Sequence, residues 1–197
     1  MKRPLWTFLW AGMAICAATP LAANAYREKG IAVAVADSAL MVTPTRDWNR
    51  LAQRPGKKAE IWTLDGEQLN DVCWYGGIAP GEPLIRERSR KREPLPKFTR
   101  TTLLPEIPEL LEATYRTGKQ IAAFTITGSE PDHFLGQEAV RFTYEYIDND
   151  DLPRKGHGRA AIVKGLLYMA TFDAPRLYYF DRSFQDFQAL TDSATLH

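Results

Sequence analysis

The stretch Phe134–Phe180, FLGQEAVRFTYEYIDNDDLPRKGHGRAAIVKGLLYMATFDAPRLYYF, decides the fold. From Gln137 to Ile147 the side chains alternate. Val140, Phe142, Tyr144 and Tyr146 point one way, and Arg141, Thr143 and Glu145 the other. That period of two is a pleated strand. Asp148-Asn149-Asp150-Asp151 breaks it, because short Asx side chains bond their own backbone and favour turns. A second strand is expected over Gly158–Val163, and Lys164-Gly165 reads as a tight two-residue turn. The third strand is Leu166–Phe172. Leu166, Tyr168, Ala170 and Phe172 form one face, and Leu167, Met169 and Thr171 the other. A meander apolar on both faces must be covered on both sides, and helices are the expected covers.

Working outward, the two flanks bring different material. The first 25 residues have the layout of a secretory signal peptide. Lys2 and Arg3 are basic, Leu5–Ala18 is apolar, and Ala23-Asn24-Ala25 is a cleavage site. The apolar run is too short for a stable membrane span, so no span is expected in the mature chain. Met13-Ala14-Ile15-Cys16 also resembles a lipobox, which would make the protein a lipoprotein held at a membrane through an acylated Cys16. Removing residues 1–25 lowers Lys plus Arg from 25 to 23 against 24 acids, a formal charge of −1. So balanced a surface argues against a nucleic-acid partner. Residues 26–197 suit one domain, long enough to bury about 70% of its unfolded surface without staples. Cys73 is then the one cysteine left, set in the apolar run Val72-Cys73-Trp74-Tyr75, and reads as a buried thiol.

In the amino-terminal half, Ile31–Ala36 and Leu40–Thr43 read as a strand pair turning at Asp37-Ser38. Thr45–Leu51 reads as one helical turn. Glu60–Leu64 and Leu69–Tyr75 form a hairpin around Asp65-Gly66, followed by a loop over Gly76–Gly81. Leu84–Arg100 is the compositional outlier. Its Arg86, Arg88, Arg90, Lys91 and Arg92 suit an acidic partner or lipid headgroups, or an exposed edge whose charge deters pairing. Pro105–Thr117 is a helix with Pro108 in its first turn and an Ile107, Leu110, Leu111, Tyr115 stripe. Gln120–Thr127 returns as a strand. After the meander, Asp181 caps a last helix carrying Phe184, Phe187, Leu190 and Ala194.

Chemistry is thin. No nucleophile elbow, zinc-binding His pair, phosphate loop or Cys pair occurs. His133, His157 and His197 are scattered, and with Cys73 they do not make a zinc site, so no metal and no cofactor is expected. An acid/base pair, if one exists, would be His133 with Asp132 or Glu130, in a loop. Tyr144, Tyr146, Tyr168 and Tyr178 could line a pocket for a small apolar ligand.

Val42-Thr43-Pro44 with Trp48, Leu167-Tyr168 in the last strand of a meander, and a final helix with Phe184, Phe187 and Ser193 are similar to the PsbP/DcrB-like domains. The resemblance implies an α+β fold, an antiparallel sheet flanked by helices as an α-β-α sandwich. It also implies a non-catalytic, accessory or partner-binding role in an exported or lumenal compartment, and it carries over no site residue. The expectation is a periplasmic or secreted bacterial envelope protein. It would bind a protein or envelope component through the basic stretch. The alternatives are a carrier of a small apolar ligand and an envelope hydrolase with a His-based site.

Overall fold

The computed structural model describes residues 24–88, 91 and 94–197. Its elements are β1 (Ala25–Arg27), β2 (Val33–Ala34), β3 (Leu40–Val42), β4 (Trp48–Arg50), β5 (Ala59–Thr63) and β6 (Asp71–Ile78), then α1 (Ile107–Gly118) after one 3-10 turn (Leu104–Glu106). The chain continues with β7 (Phe124–Phe134), β8 (Gln137–Ile147), β9 (Pro153–Val163), β10 (Leu166–Pro175), α2 (Tyr179–Asp192) and β11 (Thr195–Leu196). This is mostly antiparallel sheet with two helices, an α+β fold.

The eight-stranded sheet runs β1-β4-β5-β6-β10-β9-β8-β7, and every neighbouring pair is antiparallel. The meander is β8, β9 and β10, closed at Lys164-Gly165 with φ of 51° and 76°, the positive values a type I′ turn needs. β9 starts at Pro153, earlier than the expected Gly158. Its Arg-Lys-Gly-His-Gly opening has little strand propensity, and the reason it holds is across the ladder. Tyr144 faces Gly156 and Phe142 faces Gly158. A Cβ at Gly156 would lie 2.1 Å from the Tyr144 ring, and one at Gly158 2.2 Å from the Phe142 ring. The glycines leave room for rings that lie flat over β9.

β10 shows the two-sided burial its sequence asks for. Leu167 and Met169 enter a core cluster with Ile107, Leu111 and Tyr115 of α1 and Phe142, Tyr144 and Tyr146 of β8. Tyr168, Ala170 and Phe172 enter a second cluster with Phe180, Phe187 and Leu190 of α2 and Trp62 and Trp74. The small sheet β11-β3-β2 joins this second cluster through Leu40 and Val42, and Thr43 N–H donates to Ser193 Oγ at 3.1 Å.

Local readings fail at four places. Trp48–Arg50 is β4, not a helical turn, because Trp48 is buried beside β5 and the ladder overrides a weak local preference. Gly76 and Gly77 belong to β6, not a loop. A Cβ at Gly76 would lie 2.4 Å from Ser38 Oγ, so this glycine lets the β2–β3 turn rest on the sheet. Asp132 and His133 lie in β7, which runs on to Phe134 through a bulge between Ile126 and Gly128. Asp181 does not cap α2; it sits in the first turn, and Tyr178 (φ 71°) precedes the helix. The expected leader lies outside the described residues, Cys16 included, apart from Asn24 and Ala25. No described helix is long and apolar enough to cross a membrane.

Candidate functional site

One end of the large sheet holds a buried charge network on the α1 side. Asp173 lies near the end of β10, β6 begins at Asp71, and the register sets these two acids directly opposite each other. β9 brings Arg154 across from Tyr146 of β8. The topology forces the meeting: β10 lies between β6 and β9, so three strand ends converge.

Asp173 is 4% exposed, and both its oxygens are used. Oδ1 accepts from Tyr146 OH at 2.7 Å and from Arg154 Nε and Nη2 at 3.1 and 2.9 Å. Oδ2 accepts from Tyr115 OH at 3.0 Å. Burial alone would raise the Asp173 pKa, but the Lys119 and Arg154 charges and the two tyrosine hydroxyls outweigh it and hold the carboxyl low. Burial works against the Arg154 charge too, and Asp173 more than restores it. Arg154 Nη1 also donates to the Gln68 carbonyl at 2.6 Å and lies 3.7 Å from Asp148. Lys119 stands 3.8 Å from the Tyr115 ring centre.

Asp71 is the contrast. It is half-buried, and its Oδ1 has no hydrogen-bond partner. Burial first, then the Asp173 charge, push its pKa up to about 7, against the pull of Arg154 and Lys119. Two facing carboxyls therefore take different states, one held as a carboxylate and the other titrating near neutrality.

This network forms the floor of a cleft of about 990 Å³, lined by Asp71, Asp173, Arg154, Tyr146 and Lys119. The basic loop supplies part of the wall: Arg86 and Arg88 are exposed and line the same cleft. Leu84, Ile85, Leu95 and Phe98 are buried and pin both ends of that loop to the α1 core. Lys91 is exposed, and Arg90 and Arg92 lie outside the described residues.

The other sequence-derived candidates do not converge. Tyr144 and Tyr146 are buried in the α1 cluster, Tyr168 is in the α2 cluster, and Tyr178 is 67% exposed. The four do not line one cavity. Within β7, Asp132 and His133 are adjacent, so their side chains leave opposite faces of the strand. Asp132 accepts from Arg159 Nε at 2.7 Å and meets only the backbone of His133, and Glu130 pairs with Arg141 at 2.8 Å, so neither acid is paired with the His133 ring. His157 packs on Phe184 and Phe187 at 5.1 and 5.7 Å, and burial lowers its pKa to about 4. Burial pushes the Cys73 thiol up to about 12, so it holds no thiolate at neutral pH. Among the described residues no group of three or more His, Cys, Asp or Glu is placed to hold a metal ion.

Sequence reasoning missed Asp71, Asp173 and Arg154. A faint signal was available: Asp173 ends the apolar run LLYMATF and Asp71 opens the apolar run VCWY, and a charge there needs a partner.

No protein-family model and no curated protein matches the chain. Among solved structures it is similar to cyanobacterial PsbP (CyanoP) from Synechocystis sp. PCC 6803, with a TM-score of 0.54 and 11% identity, over 92% of this chain and 97% of that one. The fold is thus PsbP-like. Two further matches are more distant. A Pseudomonas aeruginosa protein of unknown function, PA94, described as a putative regulator, has a TM-score of 0.39 at 11% identity over 66% of this chain and 79% of its own. LpqN, involved in cell envelope biogenesis of Mycobacterium tuberculosis, has a TM-score of 0.36 at 9% identity over 91% and 87%.

Proposed function

We propose that this chain is an exported, non-catalytic accessory domain that binds a protein or other envelope component at the cleft between the basic loop and the Asp173–Arg154 floor. One observation carries the reading: Arg86 and Arg88 stand on the wall of the same cleft whose floor holds the buried charges. A loop on the surface over a rigid, hydrogen-bonded base is a common arrangement for recognition. Of the floor's two facing acids, Asp173 is saturated with donors and Asp71 is raised by burial to about 7.

The address is part of the same proposal. Residues 1–25 act as a leader removed after Ala25, or the chain is acylated at Cys16 and held at a membrane. Cleavage after Ala25 leaves Tyr26 and Arg27 to pair with Asn49 and Trp48. The two helices serve as the outer layers of an α-β-α sandwich whose strand ends present the cleft. The mass of the mature amino terminus separates Tyr26 from an acylated Cys16.

The binding test is capture from envelope extract by the mature chain, compared with Arg86→Glu/Arg88→Glu. The expected result is a component retained by the wild type and lost on charge reversal, with retention weakening as salt rises. Equal retention by both proteins, or none by either, overturns the proposal.

A further inference from the structure

We propose that β7 is a second docking surface, an open sheet edge that takes an extended, basic peptide segment of a partner protein as an added strand. β7 is 11 residues long and terminal in the sheet order, so one side of its backbone faces no strand. The register shows which groups face out. Ile147 N–H donates to the Ala123 carbonyl at 3.1 Å, which makes 123/147 a hydrogen-bonded pair. Antiparallel pairs alternate, so Phe124 and Ile126 turn their N–H and C=O groups away from β8. At the far end Leu135 and Gly136 (φ 56° and 71°) close a two-residue hairpin between Phe134 and Gln137. Counting back from that closing pair, His133, Pro131 and Ser129 face outward.

The two ends of this edge are blocked, and its middle is not. The Phe124 carbonyl accepts from Arg116 Nη2 at 2.8 Å, the His133 carbonyl accepts from Arg159 Nη2 at 2.8 Å, and Pro131 has no N–H to offer. Among the described residues no side chain hydrogen-bonds the outward groups of Ile126 or Ser129. A groove of about 360 Å³ runs along this same stretch. Its apolar lining is Pro105, Pro108, Phe124 and Ile126, and its acidic lining is Glu109 and Glu112. Ladder groups for the main chain, an apolar slot for one side chain and acids beside it are the parts of strand-addition recognition.

Charge selects the occupant. Glu112 pairs with Arg116 and Glu130 with Arg141, which leaves Glu109 in excess along the edge. A basic peptide satisfies that excess. A second copy of this chain would bring the same acids to face it.

The test uses the mature exported chain, 15N-labelled, and the probe acetyl-Lys-Val-Thr-Val-Lys-Val-amide, with a control peptide carrying Glu for both Lys. The expected result is saturable binding that slows hydrogen exchange at the Ile126 and Ser129 amides at least about tenfold, with the Glu peptide about tenfold weaker. Ser129→Pro removes one outward N–H, and Glu109→Lys, on the helix surface, leaves the ladder untouched. Each weakens the Lys peptide several-fold, and the second holds even if the first variant folds poorly. The proposal is overturned by no binding, by equal binding of both peptides, or by protection at the Arg86–Arg88 cleft instead. Protection of the same amides by concentration-dependent dimers without peptide also overturns it, in favour of a second copy.

Discussion

Asp71→Asn should stabilise the protein, by an amount that grows from about pH 4 to pH 7 and then stays level. A carboxyl raised from 3.8 to about 7 corresponds to about 4 kcal/mol at 1.36 kcal/mol per tenfold change in proton affinity. Asp71 is half-buried, so partial solvation trims this to about 2–4 kcal/mol. The sign follows from which state holds the proton. Between about pH 4 and pH 7 the folded chain keeps the Asp71 proton while the unfolded chain has released it. The contribution of Asp71 to stability therefore falls as pH rises through that window and is flat above it. Asparagine matches the shape of the protonated acid and never ionises. Urea unfolding of wild type and Asp71→Asn at pH 4.5, 6, 7 and 8 should give curves that coincide near pH 4 and separate to about 2–4 kcal/mol by pH 8. The groups around Asp71 are Asp173 from β10, Arg154 from β9 and Lys119 after α1, and none is altered by the change. A gap independent of pH, or a variant less stable at pH 8, would mean that Asp71 is ionised and paired, and the account of the cleft floor would be wrong.

Asp173→Asn should cost about 3–5 kcal/mol at neutral pH, because it leaves Arg154 buried without its countercharge; thermal melts check it. His157 is a base whose pKa is lowered to about 4, so its contribution is full above pH 6.5 and is lost as pH falls towards 4. His157→Phe, made in the Asp71→Asn background to remove the opposing slope, should gain on its parent between pH 7 and pH 4.5, and NMR titration of the ring should give a midpoint near 4. Gly156→Ala and Gly158→Ala should each cost about 1–3 kcal/mol in denaturant melts, since the new Cβ meets a ring at 2.1 or 2.2 Å. Cys73 in the folded protein should resist alkylation at pH 8 and react only on unfolding.

The meander was legible because its evidence is local: alternation in 137–147, an Asx turn, a Lys-Gly turn and a strand apolar on both faces. The two helices were legible through their Leu110-Leu111-Tyr115 and Phe187-Leu190 stripes. What failed depends on partners far along the chain. Trp48–Arg50 is a strand because β1 and β5 flank it, and Gly76 stays in β6 because Ser38 presses on it. Asp71 and Asp173 form a pair only through the β6–β10 ladder, which joins strands far apart in sequence. Polar residues at the ends of apolar runs look like strand boundaries until a fold sets them side by side. The basic loop was visible from composition, whereas the wall it forms was not.

That β6–β10 ladder also sets an order of events. β1, β4, β5 and β6 reach β7, β8 and β9 only through β10, whose last residue is Pro175. A chain emerging amino end first holds β6, apolar over Val72–Tyr75, paired with β5 but without β10 until most of the polypeptide is out. Closing so long a loop is slow compared with forming the hairpins on either side. If the chain is exported as proposed, that delay keeps the amino-terminal strands from locking into the full sheet before the segment that completes it has crossed.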